Sequence, residues 1–539
     1  MQTGLRWLWG LAGMMLLQGC DKAEREAFYQ SGIIYCSESN PVNFNPQTDT
    51  SSTTADATAH QLYNRLLNFD PDTGQVIPSL ASSWKVSDDG LVYTFQLEKN
   101  VAFHETAYFT PSRPFNADDV IFSIDRWRND SNPYHPVSGG RYPYFESLGI
   151  ADNIFEVRRI NGYRVEIILK REDSSFLANL ATDFSVILSA EYADYLLSRG
   201  TPERIDHYPI GTGPFKFVSY RKDHFIRFDK HENYWHGAEG NSEHLIYDIT
   251  PKSSIRLAKL ITGECDAIAF PAQTELDIIV NREELTLSEK PGLNVGFWAF
   301  NTNRPPFNDP SVRRALALAI DKNTLLEAVY FESATRAKTL LPAASWAFQS
   351  DAEDTGYNPV LARKLLDEAG IEPGFTMTIW AMPVERAYNP NAVKMAELIQ
   401  RYLSAVDIQV DIVTYDWTTF RRHLREGLHD SVLIGWSADN GDPDNFYRPL
   451  LSCGAIPSGT NRARWCNREY DQLIDEALQT QDLVRRKAIY AEVNRLLYNE
   501  LPLVPIAHAY RYQAYRNNLK GMTINPYGGV RFAGVTKSL

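Results

Sequence analysis

The sequence predicts an exported α/β protein built from several domains. Three observations carry that prediction. The chain has 539 residues, enough for three or four units at roughly 150 residues each. Strand-like and helix-like patterns alternate between about residues 292 and 509, as they do in α/β domains. A short apolar run, Trp7 to Leu17, follows Arg6 near the start. That run is too short to span a bilayer but has the length of a signal-peptide core. Hydrophobic residues make up 44% and charged residues 22%, which excludes wholesale disorder and fibrous repeats. The formal net charge is -13, so a general nucleic-acid binder, which should be basic, is set aside. The charge says little about small ligands, because a local site can carry either sign.

The apolar run ends Leu17-Gln18-Gly19-Cys20, which resembles a bacterial lipobox, in which the cysteine is lipidated and becomes the new N-terminus. Gln18 departs from the small residue usual there, and the competing reading is an ordinary signal peptide cut nearby. Asp21 resembles a signal for retention at the inner membrane. No other stretch reaches 18 apolar residues, so the mature chain is expected to be exported and soluble. With Cys20 taken by lipid, Cys36, Cys265, Cys453 and Cys466 remain, an even number suited to an oxidising compartment. Cys453 and Cys466 are near enough in sequence to close one loop, and Cys36 with Cys265 would then join two distant segments. Four unpaired or metal-binding thiols are the alternative. There is no CxxC and no neighbouring histidine set, so no metal site is expected.

Taken in order, residues 33–36 read as a short strand, and a polar, turn-rich stretch follows from Ser37 to Thr54. Residues 59–67 are helical in pattern. Asp70 to Gly74 is a turn. Residues 84–87 and 91–97 flank Asp88-Asp89-Gly90 and predict a β-hairpin. A helix opens at 116–120, with Asn116 or Asp118 as its cap. Residues 165–169 form a strand. Asp309-Pro310 and Asn358-Pro359 each start a helix, and Gly370 stands at a C-cap position. Residues 375–380 are a strand, Asn389-Pro390 starts a third helix, and residues 408–413 and 431–435 are strands. A helix from about 482 to 498 is stopped by Pro502.

Two loops carry the candidate chemistry. Residues 382–391 follow a strand, precede a helix, and contain Arg386, which can pair bidentately with a carboxylate. Residues 436–445 leave the C-terminal end of another strand and contain Asp439, Asp442 and Asp444. Ligands of α/β sheets bind beyond such strand ends. One loop offers a cation for a carboxylate, and the other offers carboxylates for an ammonium, so a molecule with both ends is an amino acid or a peptide. Each feature has a plainer reading: a surface ion pair for Arg386, turn and cap residues for the aspartates, core packing for Trp436. A calcium loop is rejected, because Gly441 occupies the third loop position and no glutamate the twelfth.

Several segments in order resemble the peptide-binding components of ABC importers, the dipeptide and oligopeptide solute-binding family. They are Tyr63 to Leu67, Leu80 to Trp84, Asp89-Gly90, Tyr93 to Phe95, Asn116 to Val120, Pro209 to Phe215 and Pro291 to Val295. Arg386 and the run Asn440 to Asn445 resemble the dipeptide-binding branch. Leu450 to Cys453, Cys466 and the tail Arg531 to Val535 resemble the binding proteins of the Sap system, associated with antimicrobial-peptide uptake. The resemblance implies a two-lobed periplasmic clamshell (type II, cluster C) with an inserted domain. After a signal peptide of residues 1–20, lobe I comprises 21–63, 212–291 and 510–539, the inserted domain 64–211, and the α/β lobe 292–509. It implies disulfides Cys36–Cys265 and Cys453–Cys466. It places the peptide ammonium on Asp439 and the terminal carboxylate on Arg386, with Tyr142, Tyr388, Trp436 and Asn440 around the ligand. Thr50 and Ser51 match a loop that touches the ligand, although Ser52 stands where dipeptide binders have glycine.

The expected function is capture of di- or oligopeptides, cationic antimicrobial peptides among them, between two lobes in the periplasm. Hinge closure then precedes delivery by a monomeric lipoprotein to an inner-membrane permease with ATPase subunits. The chain has no GxxxxGK[ST] loop. Longer cationic peptides would be aided by Asp442 and Asp444. A hydrolase is the first competitor, but HExxH and GxSxG are both missing. His423 and His429 are read as solvated, so no enzyme and no catalytic residue is expected. Haem is the second competitor: relatives in the resembled family carry it, although no CxxCH is present and no cofactor is expected.

Overall fold

Leu503–Arg516 is a strand of 14 residues that serves two halves of the molecule. Its first part is apolar and pairs antiparallel with Asn294–Phe300 and Ala334–Arg336. Its second part is rich in tyrosine and arginine and pairs antiparallel with Leu285–Pro291 and Ala267–Ile268. The computed structural model describes residues 32–70, 74–237, 242–525 and 527–538. The expected signal peptide and lipobox, with Cys20, lie outside them. Among the described residues, no helix is long and apolar enough to cross a membrane.

On one side of the long strand the sheet continues through Asn294–Phe300, Ser431–Ser437, Phe375–Ala381 and Ile408–Val413. The last three of these run parallel. Helices pack on this part of the sheet, and its inner strand Asn294–Phe300 is buried throughout, whereas Ile408–Val413 at the edge alternates buried Ile408 and Val410 with exposed Gln409 and Asp411. The helix starts follow the caps: Asp309 before Pro310–Leu318, Asn358 before Pro359–Glu368 and Asp482 before Leu483–Glu500. On the other side lie Ala267–Ile268, Gly32–Ser37, His244–Ile249, Phe225–Lys230 and Phe215–Arg221. A separate antiparallel sheet holds Ala81–Val86, Val92–Leu97, Arg164–Leu169 and Ile154–Asn161. The predicted hairpin forms two of these strands. Cys36 is bonded to Cys265 and Cys453 to Cys466.

Two expectations are corrected. Residues 59–67 are not helical; the helix is Ser52–Thr58, capped by Ser51. The backbone after it is used by distant partners: the Gln61 and Leu62 carbonyls accept from Phe215 and Gly213, and those of Arg65 and Leu66 from Leu80 and Ala81. Tertiary pairing thus overrides an apolar spacing that suits a helix. The helix expected from Asn389-Pro390 is Ala392–Ser404, capped by Asn391. Asn389 instead closes a tight turn with Arg386 through two backbone hydrogen bonds of 3.2 and 3.0 Å.

Asp206 ties Asn45 to Arg126 and Ser138. Its carboxylate accepts from Asn45 Nδ2 at 2.7 Å, Ser138 Oγ at 2.6 Å and both terminal nitrogens of Arg126 at 2.9 and 2.7 Å. Both members of the Arg126–Asp206 pair are fully buried. Removing one partner strands a buried charge, which costs about 3–5 kcal/mol. Asp206→Ala is therefore expected to lower the unfolding free energy by that amount, read as a lower urea midpoint at an unchanged m value. A loss below about 1 kcal/mol would contradict this role.

Candidate ligand-binding site

The two loops singled out in the sequence leave the same edge of the sheet. Phe375–Ala381 and Ser431–Ser437 are adjacent and parallel, with Ala381 beside Leu433, so the chain emerging from each lies over one opening. Gly435 lets the first loop lie on the second strand: a Cβ there would collide with the Tyr388 ring and the Val295 carbonyl. Tyr330 donates its hydroxyl hydrogen to the Tyr388 carbonyl at 2.7 Å. The loops face a cavity of about 440 Å³, whose opposite wall contains Thr50, Ser51, His60, Arg65, Tyr144 and Asp183.

One end of the cavity is acidic. Asp439 has no cationic partner among the described residues. Burial pushes its carboxyl up to about 8, helped by the nearby charge of Asp183, although Asn445 opposes the shift. Asp183 is held differently. Burial alone would raise it, but His60 at 3.0 Å, Arg65 at 2.9 Å and Arg531 hold it down at about 2. The Trp436 indole N–H is buried without a hydrogen-bond acceptor. This end therefore offers one fixed carboxylate, one carboxyl poised to ionise beside a cation, and one free donor.

The other end is cationic. Arg386 and Arg421 both lie over the Trp417 ring, each 5.9 Å from its centroid. Trp417, Arg421 and Arg425 recur every four residues along Trp417–Glu426 and so share one helix face. Arg462 lies beside them; burial lowers its guanidinium to about 10, and Arg421 and Arg425 add repulsion. His429 donates its Nε2 hydrogen to the Arg462 carbonyl at 2.8 Å. That histidine is buried, not solvated as its sequence context led us to expect, and burial lowers it to about 4. Arg511, on the long strand, also lines the cavity but lies close enough to Asp56 and Asp183 to feel their charges.

Among the residues singled out in the sequence, Thr50, Ser51, Arg386, Tyr388, Trp436 and Asp439 all line this cavity. Tyr142 does not. It is 1% exposed, donates to the His135 carbonyl at 3.1 Å, and lies near Arg126 in the inserted part; Tyr144, two residues on, faces the cavity. Asn440 is also corrected: it does not line the cavity, and its amide donates to Asn179 Oδ1 at 2.8 Å. Asp442 and Asp444 are buried in ion pairs with Arg486 and Arg448, each at 2.9 Å, so neither is free for a cationic ligand. Sequence reasoning missed His60, Arg65 and Asp183, which have no local signature. It also missed Arg421 and Arg425, whose spacing from Trp417 was visible.

The family model for bacterial extracellular solute-binding proteins, family 5, matches residues 75–458. The chain is 43% identical over 504 residues to the dipeptide-binding protein of Escherichia coli (strain K12), covering 94% of each. It is 43% identical over 507 residues to the peptide transport periplasmic protein SapA of Salmonella typhimurium, covering 94% of this chain and 92% of that one. A solved dipeptide-binding protein from Pseudoalteromonas sp. SM9913, in complex with Met-Leu, superposes with a TM-score of 0.90 at 48% identity. That match covers 94% of this chain and all of the other.

Asp439 sets a pH dependence. Between about pH 4 and about pH 8 the unfolded chain has this carboxyl ionised while the ligand-free fold keeps it protonated. The folded state then binds more protons, so this group makes stability fall as pH rises through the window. Asp439→Asn is expected to flatten the fall, read by urea unfolding at about pH 5 and about pH 8. Identical slopes in both proteins would contradict the assignment.

Proposed function

The chain belongs to the bacterial extracellular solute-binding proteins of family 5, and on that premise we propose that it captures short peptides for a membrane importer. The carrying observation is the cavity's polarity: a buried carboxyl at one end and guanidiniums at the other, none of them in an ion pair among the described residues, although Arg386 feels the charge of buried Glu38. A zwitterion satisfies both. In this proposal Asp439 takes the peptide ammonium and ionises as it does so, while Asp183 adds attraction. Arg386 takes the terminal carboxylate. Trp436 supplies its free N–H, and Tyr388, Thr50 and Ser51 line the walls.

The proposed movement is closure of two lobes around the ligand. In this proposal the described residues of 21–63, 212–291 and 510–539 form one lobe with those of 64–211 inserted in it, and residues 292–509 form the other. The chain passes between them where Leu285–Pro291 gives way to Asn294–Phe300, and again near Ala509. The family is one of binding proteins, so transport energy comes from elsewhere: a permease with ATPase subunits, on which the closed form docks. We place the protein in the periplasm, tethered through Cys20. Uptake of cationic antimicrobial peptides, raised by the likeness to Sap-type proteins, finds no support in this lining, which holds eight arginines against three carboxylates.

Truncating one member of a buried charge pair at an interface typically costs about 2–5 kcal/mol. Asp439→Ala and Arg386→Ala are each expected to weaken binding of a free dipeptide by about 30-fold or more, measured by calorimetry. Unchanged affinity in both variants would overturn the assignment of the two ends.

A further inference from the structure

The basic end of the cavity holds more cation than a peptide terminus requires. One carboxylate is matched by Arg386. Arg421, Arg425 and Arg462 line the same cavity, and no carboxylate pairs with any of them among the described residues. Three features show that this excess is built in. Arg421 and Arg425 stand four residues apart on one helix, a like-charge spacing that destabilises the helix unless an anion intervenes. Arg464 donates to the Arg425 carbonyl at 3.1 Å and His429 to that of Arg462 at 2.8 Å, so both arginines are anchored through their own backbones. Trp417 is shared by Arg386 and Arg421, which brings the second guanidinium beside the terminal-carboxylate position.

We propose that Arg421, Arg425 and Arg462 form a second anion subsite that selects peptides whose C-terminal residue carries its own carboxylate. This rests on the peptide-binding proposal above. The shared Trp417 carries the position: Arg386 and Arg421 both lie over one ring, so in this proposal the residue whose main-chain carboxylate is on Arg386 turns its side chain toward Arg421. A carboxylate there relieves the repulsion between the arginines and accepts charge-assisted hydrogen bonds. An amide of the same shape can accept a hydrogen bond but leaves the excess charge in place.

Ala-Glu and Ala-Gln differ at the side chain only by that charge, so calorimetry with the full-length mature protein separates the cases. The wild type is expected to bind Ala-Glu at least about tenfold more tightly than Ala-Gln, with the ratio shrinking as salt rises. Arg421→Gln and Arg425→Gln change exposed side chains, so folding is expected to survive, and each is expected to bring the ratio down to about threefold or less. Arg462→Lys is expected to retain part of the preference. Equal wild-type affinities for the two peptides would overturn the second subsite while leaving the peptide proposal standing. A preference untouched by both glutamine substitutions would overturn it too. Failure of the wild type to bind either peptide would overturn both proposals.

Discussion

The Asn294 carboxamide holds both backbone groups of Ala509, donating to its carbonyl at 2.9 Å and accepting from its N–H at 2.9 Å. This clamp sits where the chain passes between the two parts of the large sheet, beside the Pro291-Gly292-Leu293 turn. Gly292 is needed there because a Cβ would collide with the Asn294 amide and the Ala509 carbonyl. His508 donates its Nδ1 hydrogen to the Asn294 carbonyl at 2.7 Å, and burial keeps the ring neutral by lowering it to about 4. The cavity depends on this crossing. Leu293 from the turn, Asn294 at the start of its strand and Arg511 on the long strand all line it, so the clamp fixes the floor of the cavity. In the proposed closure, these two adjacent strand crossings are where the lobes would turn.

Above that floor, charge is arranged against the protein's average. The chain carries a net charge of -13, yet eight arginines and three carboxylates line the cavity. Two of those carboxylates are paired: Asp183 with His60 and Arg65, and Glu146 with Arg141. Asp439 is left alone, and desolvation keeps it protonated until a cation arrives. The two ends are thus in different states of readiness. The basic end is permanently charged, because arginine does not titrate in the working range. In the peptide proposal the acidic end ionises in response to its partner, so an ammonium would complete a charge pair and not displace one.

Local structure was legible in the sequence wherever the determinant was local. Asp309-Pro310 and Asn358-Pro359 start helices because cap and first-turn chemistry act within a few residues. The Asp88-Asp89-Gly90 turn specifies its hairpin for the same reason. Arg386 and Asp439 were also findable, because two parallel strands deliver both loops to one edge. The inserted part was harder to read. Whether Tyr142 or Tyr144 faces the cavity turns on the buried Arg126–Asp206 pair, which closes around the former from residues far apart in sequence. Asp442 and Asp444 looked available because Arg486 is 44 positions beyond the first, although Arg448 is only one helical turn from the second. The helical pattern of residues 59–67 was misleading because Leu62, Tyr63 and Leu66 are buried by partners from elsewhere in the chain, not by one helix face.

The central claim is that this cavity holds a short peptide by its two ends, with room for extra negative charge at the C-terminal end. Native mass spectrometry of the soluble domain, begun after Cys20 and purified from cells without added ligand, tests it most directly. The account predicts a mass excess equal to dipeptides or other short peptides, enriched in aspartate or glutamate at the last position. A bare protein, a porphyrin mass, or a population of lysine- and arginine-rich peptides would contradict it.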